Sequence, residues 1–284
     1  HLATTCLKLL GLKGNHHRNL SAWQKMANRA TRKWPKEIKI AMVGKYFVTG
    51  DFKLVDSYVS VVEALRHASW HLGITPVLEW IDSEKIEKNG PDLLKAFDGI
   101  VVPQGWGSRG TEGKVQAARF ARENKIPYLG LCFGMQMAVI EFARNVLGLA
   151  DANSTESNPK TKHPVIHIMP DQEKYLAKRQ YGGTIRLGAW PCKIKSGTKL
   201  FEIYKKPLVT NERHRHRYEF NNKYKEKFEK AGMVISGTSP DGKLVEAIEL
   251  KNHPFFIGTQ FHPEYISRPL TPHPIFVSFL SAMV

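Results

Sequence analysis

Cysteine is scarce in this 284-residue chain: Cys6, Cys132 and Cys192 are all it has. Three scattered thiols exclude a disulfide framework and a cysteine metal cluster, and they fit a reducing, cytoplasmic setting. Long apolar runs are also lacking. Nothing approaches the roughly 20 residues of a membrane span, and the N-terminus has no signal-peptide apolar core. Acidic residues are missing from one end: residues 1–34 hold seven Lys or Arg and no Asp or Glu. There is no internal repeat, no low-complexity tract, no DNA-reading motif and no aromatic-basic interleaving of the single-strand-binding kind.

What is present is enough for one large core, since 42% of residues are hydrophobic. The net charge is +16. A polyphosphate ligand or an acidic protein neighbour accounts for it with fewer assumptions than nucleic acid does. Residues 1–35 read as a basic interdomain linker. It contains a short amphipathic piece (Leu2, Cys6, Leu9, Leu10), then Ser21 as a helix cap before residues 23–32, and Pro35 as its close. Starting at His1, the chain reads as a piece of something longer.

From residue 36 to 284 the pattern is α/β. Apolar strands are expected at 38–43, 75–80, 99–102 and 126–129, and helices at 55–72 and 114–123. Such alternation implies a mostly parallel central sheet flanked by helices, with the site at the C-terminal ends of the strands. The loop 103–107 and the segment around Cys132 then become neighbours at one rim. The second half adds β-hairpin elements at 165–168, 190–193, 215–220, 233–237 and 245–250. A polar stretch covers 171–180, and a helix at 275–283 closes the chain.

One cysteine carries the chemistry. Cys132 lies where the strand 126–129 turns into a helix marked by Met135, Ala138, Val139, Phe142 and Val146, with Gly130 and Gly134 two residues to either side. Such an elbow forces a strained backbone on its central residue, and the helix N-terminus favours a negative sulfur. From spacing alone, a buried inert cysteine fits as well. The tilt comes from Gln260-Phe261-His262-Pro263-Glu264. Residues two apart on an extended chain face the same way, so Glu264 can orient His262 while its other ring nitrogen exchanges a proton with a thiol.

These residues resemble the class I glutamine amidotransferase family and, within it, the glutaminase domains of its CTP synthase branch. Three stretches narrow the likeness: residues 151–156 (Asp-Ala-Asn-Ser-Thr-Glu), 182–188 (Gly-Gly-Thr-Ile-Arg-Leu-Gly) and 212–219 (Glu-Arg-His-Arg-His-Arg-Tyr-Glu). With the stretch 42–46 they span residues 38–284 in family order. The resemblance implies glutamine hydrolysis, with Cys132 as nucleophile, His262 as acid/base and Glu264 as its orienting carboxylate. It further implies an oxyanion hole from the N–H groups of Gly105 and Phe133, and glutamine contacts from Gln136, Glu156, Arg217 and Tyr218. Arg186 matches a segment linked to allosteric GTP, and a surface arginine in a Gly-rich turn is the competing reading. No cofactor or metal is expected in this domain. The implied partner is an N-terminal synthetase domain of the same polypeptide, using ATP and magnesium to aminate UTP to CTP, in a homo-oligomer, a tetramer. The glutaminase of another amidotransferase, such as GMP synthase, and a basic nucleotide- or RNA-binding module are the alternatives. Three positions depart from the family: Gln104 replaces a usual glycine, Trp106 a phenylalanine, and Phe133 a leucine, the last contributing only a backbone N–H. If Gln104 must take positive φ, the Gly105 assignment suffers.

Overall fold

The computed structural model describes residues 2–14, 20–45, 48–49, 52–53, 55–169 and 185–284. Tyr46, the stretch 171–180 and Gly182, Gly183 and Thr184 lie outside the described residues. The first helix, α1 (Leu2–Leu9), has no buried residue, and Leu2 and Leu9 are each about 80% exposed. The second, α2 (Ser21–Thr31), has Leu20 rather than Ser21 at its N-cap, and no side chain caps it. The end of this basic stretch docks on the domain. The Arg29 guanidinium donates to the carbonyls of Trp70 and His71, and Trp34 N–H donates to Thr75 Oγ1 at 3.2 Å.

The strand β1 (Glu37–Gly44) opens the α/β pattern. A two-stranded ribbon, β2 (Val48–Thr49) with β3 (Phe52–Lys53), follows it. The helix expected over 55–72 is split: residues Val55–Tyr58 form a 3-10 turn before α3 (Val59–Leu72), which ends at Gly73 with φ 76°. Then come β4 (Thr75–Asp82), α4 (Ser83–Asn89), β5 (Gly99–Val102), α5 (Thr111–Asn124), β6 (Tyr128–Leu131) and α6 (Phe133–Asn145). The second half contributes β7 (Asn153–Ser154), β8 (Pro164–Ile168), β9 (Arg186–Ile194), α7 (Lys199–Tyr204), β10 (Leu208–His216) and β11 (Tyr218–Phe220). It closes with α8 (Lys225–Lys230), β12 (Met233–Thr238), β13 (Val245–Leu250), β14 (Phe256–Thr259) and α9 (Pro274–Ser281).

One nine-stranded sheet runs β10-β9-β12-β13-β14-β6-β5-β1-β4. The strands β4, β1, β5, β6 and β14 are parallel. The hairpin strands extend that same sheet antiparallel from β14 outward. Alternate residues feed opposite faces. Ile100 and Val102 of β5 join one core with Phe120, Met135 and Phe142, while Val101 joins the other with Leu65, Phe261 and Phe276. A strand buried on both sides has no polar alternation, which is why these segments read as short continuous apolar runs. The single strand expected over 215–220 is broken at Arg217. β10 ends on β9 in the large sheet, and β11 crosses to β8 in a three-stranded sheet with β7.

Candidate active site

Cys132 is the hinge between β6 and α6 and holds φ 52° and ψ −99°, a strained conformation for a side-chain-bearing residue. Its N–H donates to Thr259 O at 2.6 Å, tying the elbow to the end of β14. The two flanking glycines are needed for close approach. A Cβ on Gly134 would lie 1.9 Å from Val102 O, and one on Gly130 would lie 2.8 Å from the Gly134 carbonyl carbon. Helix α6 can therefore rest directly on β5 and β6, and the sulfur is presented at the strand ends.

His262 follows β14, the strand paired with β6. Its Nδ1 is 2.7 Å from Glu264 Oε1, its ring stacks on Tyr265 at 4.8 Å, and its backbone N–H donates to Arg213 O. Nε2 is buried on the Cys132 side, with no hydrogen bond of normal geometry among the described residues. Burial opposes the charged imidazolium, but the Glu264 carboxylate and a negative Cys132 outweigh it and hold His262 well above the usual histidine range. The histidine therefore favours its protonated form. Cys132 and His262 open on a cavity of about 200 Å³ that Tyr58, Gln104, Gly105, Trp106, Arg215 and Tyr265 help line.

The loop after β5 is gripped from several sides. Lys45 Nζ donates to the carbonyls of Trp106 and Gly107, and Glu156 Oε1 accepts from Gly107 N–H at 2.9 Å. Lys45 and Glu156 thus hold the opposite edges of the 106–107 peptide plane. Lys114, wholly buried, donates to Pro103 O at 3.1 Å. Burial pushes Lys45 down to about 8, with Glu156 opposing. Burial also raises the Glu156 carboxyl, with Gly107 N–H and Lys45 opposing. The ring of Phe133 lies beneath both ammonium groups, 4.9 and 5.2 Å from its centroid. Gln104 does not take positive φ, so its side chain leaves the loop unstrained at that position.

Gln136 and Tyr218 meet: Gln136 Nε2 donates to Tyr218 O at 3.0 Å. Arg217 is buried at the β10–β11 break, and Glu156 stands at the Gly107 loop. None of these four lines the 200 Å³ cavity. Arg186 is not in an exposed loop. It begins β9, is 7% exposed, and pairs with buried Glu246 at 2.8 Å. Along β10 the alternation turns Glu212, His214 and His216 inward and Arg213 and Arg215 outward. The inward His214, His216 and Glu246 have ligand atoms within 4.8 Å of one another. The Arg186 guanidinium already stands at that cluster, 3.4 Å from His214 Nδ1, and supplies the positive charge a metal would bring. Sequence reasoning assigned no role to Lys45, Lys114, Gln260 or Tyr265. Lys45 and Gln260 lie beside motif residues in the chain, but nothing in their spacing says what they touch.

Residues 53–282 match the glutamine amidotransferase class-I family. A CTP synthase of Caldanaerobacter subterraneus subsp. tengcongensis is 57% identical over 87% of this chain and 45% of its own length. One of Synechococcus sp. is 49% identical over 99% of this chain and 50% of its own. The chain thus spans about half the length of the curated relatives it matches. Among solved structures, the Trypanosoma brucei CTPS glutaminase domain with bound acivicin superposes with a TM-score of 0.78 at 42% identity, covering 87% of this chain and 93% of that one. Among the described residues, no helix is long and apolar enough to cross a membrane.

Proposed function

The chain belongs to the class-I glutamine amidotransferases, and on that premise we propose that it hydrolyses L-glutamine to glutamate and ammonia through Cys132, His262 and Glu264. The observation carrying this reading is the strained Cys132 elbow beside a buried His262 whose Nδ1 is held by Glu264 at 2.7 Å. The Cys132 thiolate attacks the side-chain amide carbon, and the carbonyl oxygen becomes an oxyanion facing the N–H groups of Phe133 and Gly105. His262 gives its Nε2 proton to the departing nitrogen, ammonia leaves, and a thioester remains. Water then attacks that carbonyl as His262 takes its proton, releasing glutamate and the free sulfur. Glu264 keeps the ring in one tautomer throughout.

Glu156 and Arg217 suit the substrate's ammonium and carboxylate, as unlike charges do in a partly desolvated site, with Gln136 and Tyr218 completing the frame. The ammonia serves a synthetase half that aminates UTP to CTP, with ATP and magnesium assigned to that half, GTP as activator and a tetrameric holoenzyme. What supports this wider reading is the name and double length of the relatives. Similarity over almost the whole chain to CTP synthases leaves no observation favouring a GMP synthase or an RNA-binding module.

The test is ammonia release from glutamine combined with peptide mapping after a glutamine-like electrophile, acivicin being the first choice because the trypanosomal domain binds it. Modification is expected at Cys132 alone. Cys192 is buried and burial pushes its thiol up. Cys6 is exposed on α1, so it should react with small unselective reagents but not with one needing a glutamine site. Labelling spread evenly over all three would sink the reading.

A further inference from the structure

Gln260 directly follows β14, two residues before His262, and is wholly buried. Its Nε2 lies 3.5 Å from Cys132 Sγ. Its Oε1 accepts from Gln136 Nε2 at 3.2 Å, and Gln136 Nε2 also donates to Tyr218 O. A main-chain carbonyl can only accept. Tyr218 O therefore fixes which end of the Gln136 carboxamide is the donor, and Gln136 in turn fixes which end of Gln260 faces the sulfur. The same Tyr218 carbonyl takes His216 Nδ1 at 3.0 Å. The Gln260 backbone is pinned by its N–H bond to Glu246 O at 2.8 Å.

We propose that Gln260 is a catalytic residue of this site: its carboxamide N–H donates to Cys132 Sγ and favours the thiolate over the thiol, with Gln136 as the positioning residue that sets the donor's direction. This deepens the glutaminase reading and rests on it only in taking Cys132 as nucleophile. A donor aimed at the charged form stabilises that form, whereas a neutral thiol sulfur accepts only weakly. Among the described residues, charged groups that face the sulfur include His262, after β14, Lys114, from α5, and Arg215, across the cavity. All three stay in place in the variants below.

The experiment is the pH dependence of Cys132 alkylation by iodoacetamide, read by peptide mass, on the full chain as wild type, Gln260→Met and Gln136→Met. Removing the donor should raise the midpoint in Gln260→Met by about one pH unit, a tenfold change in thiolate population at pH values below the midpoint. A thiolate of higher pKa is also the better nucleophile, with a Brønsted slope of about 0.4–0.5, so the alkaline plateau should rise about threefold. A loss of packing alone would open the sulfur to the reagent and raise alkylation at every pH without moving the midpoint, so the midpoint is the deciding readout. Gln136→Met should move the midpoint the same way by less, and it decides the matter if Gln260→Met does not fold. A midpoint that stays or falls in the folded variants overturns the proposal. If the wild type released no ammonia yet the midpoint moved, the thiolate assignment would stand and the glutaminase reading would fall.

Discussion

Proton transfer and proton orientation are separable at His262 and Glu264, because only one of the two faces the reacting atoms. On the proposed mechanism His262→Ala removes the group that protonates the departing nitrogen and activates water, a role commonly worth about a hundred- to ten-thousand-fold. Glu264→Gln keeps a hydrogen-bonding side chain beside Nδ1 but loses its charge, so the decline should be smaller. Steady-state glutaminase rates, after circular dichroism has shown both variants folded, check the order. Equal, wild-type-like rates would remove both residues from the reaction. At this scale much was legible in the chain itself. Glycine spacing marked the elbow. His262 and Glu264 do meet, but through a 3-10 turn over Pro263–Tyr265 beyond the end of β14, not along the extended chain that the period of two assumed. Lys45 and Lys114 were not legible, because a lysine is ordinarily a solvated residue and only tertiary packing brings these two to the loop carbonyls. The doubt over Gln104 resolves through a torsion angle that no sequence displays.

Among the elements, β10 has the clearest energetic signature. Burial, reinforced by the Arg186 charge, pushes His214 far down and His216 down to about 3. Both are neutral in the fold, whereas the unfolded chain binds their protons below about pH 6.5. Stability is therefore lost as pH falls from about 6.5 toward the folded values, by up to about 1.4 kcal/mol per pH unit for each histidine. Buried His67 and His253, also shifted down, add to the slope. Urea unfolding at pH 7, 6 and 5 should show the fall, and the pair His214→Asn with His216→Asn should flatten it; an unchanged slope would locate the acid sensitivity elsewhere. Arg186 at the start of β9 gives a second expectation. Arg186→Ala strands Glu246 in the core, and breaking such a pair costs about 3–5 kcal/mol before the carboxyl takes up a proton. A lower unfolding midpoint is expected rather than a selective loss of nucleotide response, and an unshifted midpoint would contradict the buried pair. Strand alternation foretold that only part of the Arg-His run could face one way. It did not foretell the break at Arg217, because changing sheets is decided by which neighbour, β9 or β8, offers the free edge.

Across the whole molecule, the basic N-terminal stretch is latched to the end of α3 by Arg29, while α1 holds Leu2 and Leu9 outward. A domain that releases ammonia wastes glutamine unless a partner governs it, so the isolated chain should be a slow glutaminase. Adding the synthetase half with GTP should raise ammonia production, and a chain already at full rate and indifferent to both would mean its site is complete alone. The parallel half of the sheet was readable from apolar runs. Its continuation into antiparallel strands was not, because short hairpins look alike whether they stand apart or extend an existing edge.

The pairing of β6 with β14 has a consequence for the life of the chain. Cys132 and His262 hang from adjacent strands in register from Tyr128 and Phe256 to Leu131 and Thr259, yet nearly half the sequence separates them. A chain still emerging from the ribosome carries its cysteine long before its proton carrier, and such distant pairings close late. If the proposed chemistry holds, unfinished, clipped or misfolded copies should therefore be silent, and glutamine meets a working site only once β14 has come home beside β6.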